Sequence, residues 1–233
     1  MNGKRTAVIH QPDFAPYLGY FHRLLQCDVF LILDHVQFSK GGWHNRDKIK
    51  TPDGERWITI PVLLKGKSFS PINQVSINND SDWKQAHLTQ LESCYGAAPG
   101  FEEIFPALQK LYVCETDSLL AFNMQVLHWL FEAFAIEVEV FFSSALSPQG
   151  KSNEMLVDIL GKIGATDYLS GVGAKGYYRD EPFAAAGIRV AWQNFSHPVY
   201  PQPHGEFVPF LSSLDLLFSC GIEKSRELLR STS

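Results

Sequence analysis

Apolar residues in the first part of the chain fall into two alternating patterns. TAVIHQ (Thr6–Gln11) and DVFLIL (Asp28–Leu33) are short, continuous apolar runs that stop abruptly at Pro12 and Asp34. Runs of that length predict buried strands. Between them, GYFHRLLQC (Gly19–Cys27) carries Tyr20, Phe21, Leu24 and Leu25 at helical spacing. Strand, helix and strand in that order predict a β-α-β unit whose sheet is parallel and covered on both faces.

RWITIPVL (Arg56–Leu63), after the turn signal TPDG, and INQVSIN (Ile72–Asn78) predict further strands, and Lys50–Ile77 is expected as a hairpin appended to the sheet. Helical spacing then takes over. DSDWKQAHLTQLESCYG offers a cap at Ser81 or Asp82 and a stop at Gly96, while Ser118–Ala135 is apolar at Leu119, Phe122, Val126, Leu127, Leu130, Phe131 and Phe134. Strands are predicted at Glu137–Ser144, Asp167–Gly171 and Ile188–Phe195, with a helix at Asn153–Ala165. The expected fold is α/β, a mainly parallel sheet with helices on both faces. It forms one domain over residues 1–233, with 81–136 as a mainly helical insertion or subdomain.

Composition narrows the class. The 233 residues are 45% hydrophobic with a net charge of −5, which fits a globular chain able to bury a large core and argues against a general coat for nucleic acid or anionic membrane. No window approaches the roughly 20 apolar residues of a membrane span. The N-terminal apolar run is too short for a secretory leader. Cys27, Cys94, Cys114 and Cys220 contain no C-x-x-C pair, so neither a zinc knuckle nor a disulfide framework is expected. A cytoplasmic protein without membrane insertion is expected.

Familiar nucleotide signatures fail in detail. GKS occurs at Gly66–Ser68 and Gly150–Ser152, but the first glycine of a P-loop is replaced by Pro61 and Ala145. GVGAKG (Gly171–Gly176) fits G-x-G-x-x-G, yet YYRDEPF behind it is a short, proline-interrupted helix and no ribose-binding acid follows. His197 and His204 lack the companions of a metal site, so no metal is expected, and G-x-S-x-G is absent. What remains is a set of polar residues at predicted strand ends, where open α/β sheets bind ligands: His10, Gln11, Asp34, Ser170, Gly171, Gln193 and Asn194. To these the segment DHVQFSKGGWHNRDKIK (34–50) adds a cluster of basic side chains in an acidic chain.

HQPDFAPYLGYF, CDVFLILDHVQFSKGGWHNRDKIKTPDGERWITIPV, GATDYLSGVGAKGYY and GIRVAWQNFSHPVYPQ with LSSLDLLFSCG resemble, in order and nearly end to end, the WbqC-like family of bacterial surface-polysaccharide gene clusters. The resemblance implies a role in O-antigen or related glycan biosynthesis, with glycyl or other acyl transfer to an amino sugar. Tyr17 replaces the family's usual Trp, and His44 departs from its usual aromatic-Gln pair. A second likeness concerns fold. Tyr17-Leu18-Gly19-Tyr20 stands where nucleotidyltransferases of the HIGH class carry H-x-G-H, without either histidine, so Gly19 can admit a phosphate to a helix start but imidazole donors are lacking.

Such a transfer assigns roles to the residues. Lys40, Arg46, Lys48 and Lys50 would hold the anionic part of a nucleotide-linked amino sugar, and Trp43 would stack on a base or sugar. His10 or Asp34 would take the amine proton. The Ser170–Gly173 turn, including Gly171 and Gly173, would offer N–H donors to an oxyanion. Gln11, Tyr17, Gln37, Asn45 and Asn194 would bind the polar substrate, with Asp215 in support. No tightly bound cofactor is expected; ATP or an activated acyl or aminoacyl donor would be a co-substrate. Alternatives are an adenylating, nucleotidyltransferase-like enzyme, a non-catalytic ligand-binding component of the pathway, and use of a charged tRNA gripped through Phe38, Trp43 and Trp57.

Overall fold

A computed structural model of the chain describes residues 3–64 and 70–232. The Gly66–Ser68 motif lies outside them. Five strands, β1 (Thr6–His10), β2 (Val29–Ile32), β7 (Glu139–Phe142), β8 (Asp167–Ser170) and β9 (Arg189–Trp192), form one sheet in the order β7-β2-β1-β8-β9. All four pairings are parallel. Successive residues of a strand face opposite sides, and the apolar runs therefore feed two cores. Val8, Phe30 and Ile32 enter one, while Ala7, Ile9, Val29 and Leu31 enter the other. The α/β sheet covered on both faces is the architecture that the apolar runs predicted.

The first core is closed by α1 (Leu18–Leu24), α2 (Trp83–Tyr95), α3 (Phe101–Tyr112), α4 (Leu119–Phe134) and α8 (Ser213–Arg230). The helices of the 81–136 block thus share a continuous apolar cluster with the sheet. On the other face lie α6 (Ser152–Lys162), reached through the single turn α5 (Ser143–Leu146), and α7 (Asp180–Ala185). Asp82 caps α2 and Ser118 caps α4 through side-chain oxygens. Helix α8 breaks at Gly221, whose φ of 74° suits glycine, and the Glu103 carboxylate caps its second half by accepting from the Ile222 N–H at 2.9 Å.

Two local expectations change. The hairpin consists of β3 (Arg46–Thr51) and β4 (Gly54–Thr59), starts inside the basic segment and is its own two-stranded sheet rather than an extension of the main one. Ile72–Asn78 is not a strand throughout: Ile72–Gln74 is a 3₁₀ turn, closed by the Gln74 and Val75 N–H groups donating to the Pro71 and Ile72 carbonyls. Only β6 (Ser76–Ile77) pairs, with β5 (Val62–Leu63). GVGAKG, in keeping with the short, proline-interrupted helix expected behind it, folds as a 3₁₀ turn over Val172–Gly176 without the long helix of a dinucleotide fingerprint.

Burial of histidine makes this fold acid-sensitive. His87 is buried between the Tyr112 hydroxyl (3.1 Å) and the Thr59 carbonyl (2.9 Å), and burial pushes its pKa down to about 4. The unfolded chain therefore takes up this proton first, and stability falls as pH drops from about 6.5 through 4, by up to about 3 kcal/mol. We expect His87→Gln to reduce the pH dependence of the thermal midpoint in that window, leaving the share that His10 contributes, with its slope above pH 7 unchanged.

Candidate functional site

In the order β7-β2-β1-β8-β9, chain connections leave β1 and β8 in opposite directions, which opens a crevice between their carboxyl ends. A cavity of about 240 Å³ occupies that position. Its floor is Ile9 and His10 from β1, Gln11 just after it, and Tyr168 and Ser170 from β8; Ser152 and Asn153 at the start of α6 and Tyr177 and Tyr178 form walls. Ser152 has a φ of 52°, a strained value for a residue with a side chain, held at the crevice wall.

Arg23 is the side chain that the strand-end argument overlooked. It lies on α1, inside a stripe read from the sequence as helix core, and is only 4% exposed. Its Nε is buried without a hydrogen-bond partner, and no acid stands within ion-pair distance among the described residues. The guanidinium sits beside Gly171, where an added Cβ would lie 3.3 Å from its Nη1. Its charge is felt by His10 and Tyr168 at the crevice floor. An unpaired buried cation is costly, and an anion arriving at the end of β8 would relieve that cost.

His10 stands where this crevice meets a second cavity of about 310 Å³, lined by His10, Asp13, Tyr17, Trp43, Asp47 and Phe210. The imidazole is deep among protein atoms yet keeps 29% of its side-chain surface open. Burial, then the Arg23 charge, hold its pKa down at about 4 against the pull of Asp13, so the ring is neutral at pH 7. Its Nδ1 is 3.1 Å from the Gln11 carbonyl, which can only accept, so Nδ1 carries the proton and Nε2 keeps its lone pair. Asp13 Oδ2 is 3.5 Å from the same Nδ1, and Asp13 Oδ1 accepts from His44 Nδ1 at 3.0 Å. The Asn123 amide on α4 ties the two loops together by donating to the Pro12 and His44 carbonyls.

Of the residues singled out from sequence, the structure brings together His10, Gln11, Tyr17, Trp43 and Ser170, all lining one or both cavities, with Gly171 beside Arg23. Tyr17 also explains Gly19. A Cβ there would meet the Tyr17 ring at 2.4 Å.

Others lie elsewhere. Asp34 is buried and saturated, accepting from Ser143 Oγ, the Ser144 N–H and Ser144 Oγ at 2.8, 2.8 and 2.6 Å, so it fixes the entry to α5 and lines neither cavity. We expect Asp34→Ala to cost about 3 kcal/mol, read from denaturant midpoints, because those donors lose their acceptor.

Asp215 on α8 is likewise enclosed, accepting from Tyr95, Tyr200 and Gln202. Lys50 turns inward to Gln202 and the Glu206 carbonyl, and Asn45 donates to the Ile60 carbonyl. Arg46 donates to the Gly41 carbonyl and covers Trp57, which Lys48, paired with Glu55, also approaches. Phe38 is buried against His44. Gln37, Lys40, Gly173 and Asn194 are surface positions outside both cavities.

Among the described residues no helix is long and apolar enough to cross a membrane, and no group of three His, Cys, Asp or Glu side chains is placed to hold a metal ion. The model of the WbqC-like protein family matches residues 11–227, which include every residue lining the two cavities except Ile9 and His10. The chain belongs to the WbqC-like family. A relative from Mycobacterium tuberculosis, the uncharacterized protein Rv1507c, is 34% identical over 222 residues, covering 94% of this chain and 95% of its own length. No solved structure matches.

Proposed function

We propose that this WbqC-like protein transfers an acyl or aminoacyl group, glycyl being the simplest, to the amine of a nucleotide-linked amino sugar in surface-glycan assembly. One observation carries the reading: a neutral histidine with a free Nε2 stands at the junction of two cavities, one beside an unpaired buried arginine and the other holding buried carboxylates. The anionic part of the acceptor would occupy the crevice, drawn by Arg23 and by the N–H groups at the start of α6. Tyr168, Tyr177 and Tyr178 supply aromatic faces for a base or sugar.

The deprotonated amine attacks the acyl carbon, forming a C–N bond. The bond from that carbon to the leaving group breaks, with its electron pair departing on the leaving group. Nitrogen gives its surplus proton to His10 Nε2, while the Gln11 carbonyl and Asp13 hold Nδ1–H in place.

The sheet order with a crevice at its reversal point favours a second reading, in which the protein adenylates a carboxylate with ATP before transfer. The test is mass spectrometry of nucleotide-linked amino sugars incubated with the protein, glycine, ATP, activated acyl donors and charged tRNA. A mass gain equal to the acyl group supports transfer. Release of AMP and pyrophosphate without acylated sugar replaces it with the adenylating reading, and no product from any saturated combination leaves a binding component.

A further inference from the structure

The second cavity has a chemistry of its own. Asp47, on β3, is 2% exposed, and the hydrogen bond it accepts comes from the adjacent Lys48 N–H at 2.6 Å. No Lys or Arg lies within ion-pair distance of it among the described residues, since the Lys48 ammonium pairs with Glu55 instead. The alternation along β3 explains this: Arg46 and Lys48 cover Trp57, and Asp47 turns to the opposite side, toward the cavity. Asp13 presents a second buried carboxylate from the loop after β1.

The other walls are aromatic. Tyr17 lies between Phe195 and Phe210, with ring centroids 6.1 and 6.2 Å away, and Trp43 is 46% exposed. Phe210 is 55% exposed and has a φ of 60°, a conformation that a bulky residue adopts only under constraint. Large apolar rings held open to solvent around a charged floor are costly in the empty protein and useful against a ligand that is apolar on its flanks and cationic at one end.

We propose that this cavity is a subsite for a primary ammonium group, with its charge and N–H donors on Asp47 and Asp13 and its carbon skeleton against Trp43, Tyr17 and Phe210. A primary ammonium has three N–H donors to share between two carboxylates, which a quaternary amine lacks. The floor supplies two carboxylates beside His10, and no metal-holding group occurs among the described residues. Burial pushes the Asp47 carboxyl well above its usual range, so an entering cation supplies the countercharge that its own neighbours do not. Because His10 borders both cavities, an amine that has released its ammonium proton to solvent stands beside the imidazole that takes the remaining surplus proton during transfer. The site deepens the transfer reading and rests on it for the identity of the molecule that carries the amine.

The experiment is an equilibrium titration of the full chain at pH 6.5 with D-glucosamine and with its neutral counterpart N-acetyl-D-glucosamine, followed by calorimetry. The parent chain is expected to bind glucosamine at least about tenfold more tightly, Asp47→Asn to lose most of that preference, and Trp43→Leu to weaken glucosamine several-fold. Equal affinity for the two sugars, or an Asp47→Asn chain that keeps the full preference, overturns the site. Should Asp47→Asn fail to fold, the exposed Trp43 variant and the two sugars on the parent chain still decide. No turnover is required. A protein that selects the ammonium sugar yet yields no product loses the transfer reading and keeps the site; one that transfers without that selection loses the site alone.

Discussion

Arg23→Met is expected to bind a nucleotide-linked sugar at least about 100-fold more weakly than the parent chain, yet to melt at a higher temperature. The two effects share one cause. In the empty protein the guanidinium is buried with neither hydrogen-bond nor ion-pair partner among the described residues, a situation that costs several kcal/mol, and methionine fills similar volume without charge. In the complex the same charge meets the ligand's anion, and charge-assisted hydrogen bonds of that kind are worth about 1.5–3 kcal/mol each. A structural arginine would behave oppositely, losing stability on replacement. Because Arg23 helps to hold the His10 pKa down, the variant should also raise that pKa above its parent value of about 4, visible in an NMR titration of the imidazole. Calorimetric binding and thermal melts of the two chains check the prediction. A lower midpoint with unchanged affinity would reassign Arg23 to packing.

His10→Gln is expected to lower turnover by about 10²–10⁴-fold with substrate affinity nearly unchanged. Glutamine can keep a donor toward the Gln11 carbonyl but cannot accept a proton from an attacking amine. The pH profile adds a sharper sign. With its pKa held at about 4, His10 is in the neutral, working form throughout the range above that value, so the limb that it contributes lies near pH 4 rather than near the 6.5 of an ordinary histidine. Once the known ionisation of the amine substrate is divided out, His10 should contribute no limb to kcat/KM between pH 5 and 8, and in an Asp47→Asn background, which removes the site's raised carboxyl, the profile should be flat there. A limb centred at 6.5 in that background, or a His10→Gln chain with full turnover, would remove His10 from the chemistry.

Much of the architecture was legible because it is local. The apolar runs at Thr6–Gln11 and Asp28–Leu33 are too short for helices and lack polar alternation, which in a parallel strand means burial on both faces, and both cores are found there. The cap at Asp82, one of the two residues that the sequence offered, follows from its own side chain. His10 and Ser170 could be placed at strand ends for the same reason. The basic segment was half legible. Its charges were plain, but taking it only as a cluster of basic side chains hid the two-residue period of β3, which sends Arg46 and Lys48 outward over Trp57 and Asp47 inward.

The sequence by itself determined the five strands of the main sheet, the longer helices, the family and the polar residues that end β1 and β8. It presented His10 and Asp34 as equals, each a titratable group at the end of a buried strand. Only the tertiary structure told them apart. The order β7-β2-β1-β8-β9 puts β1 at the reversal of the sheet, where no connection fills the space beyond His10. The same order sets β2 beside β7, whose following turn closes over Asp34 with Ser143 and Ser144. Strand order, and the pairing of Arg23 on α1 with Gly171 far along the chain, depend on contacts between distant segments. No local pattern of apolar and polar residues encodes those contacts.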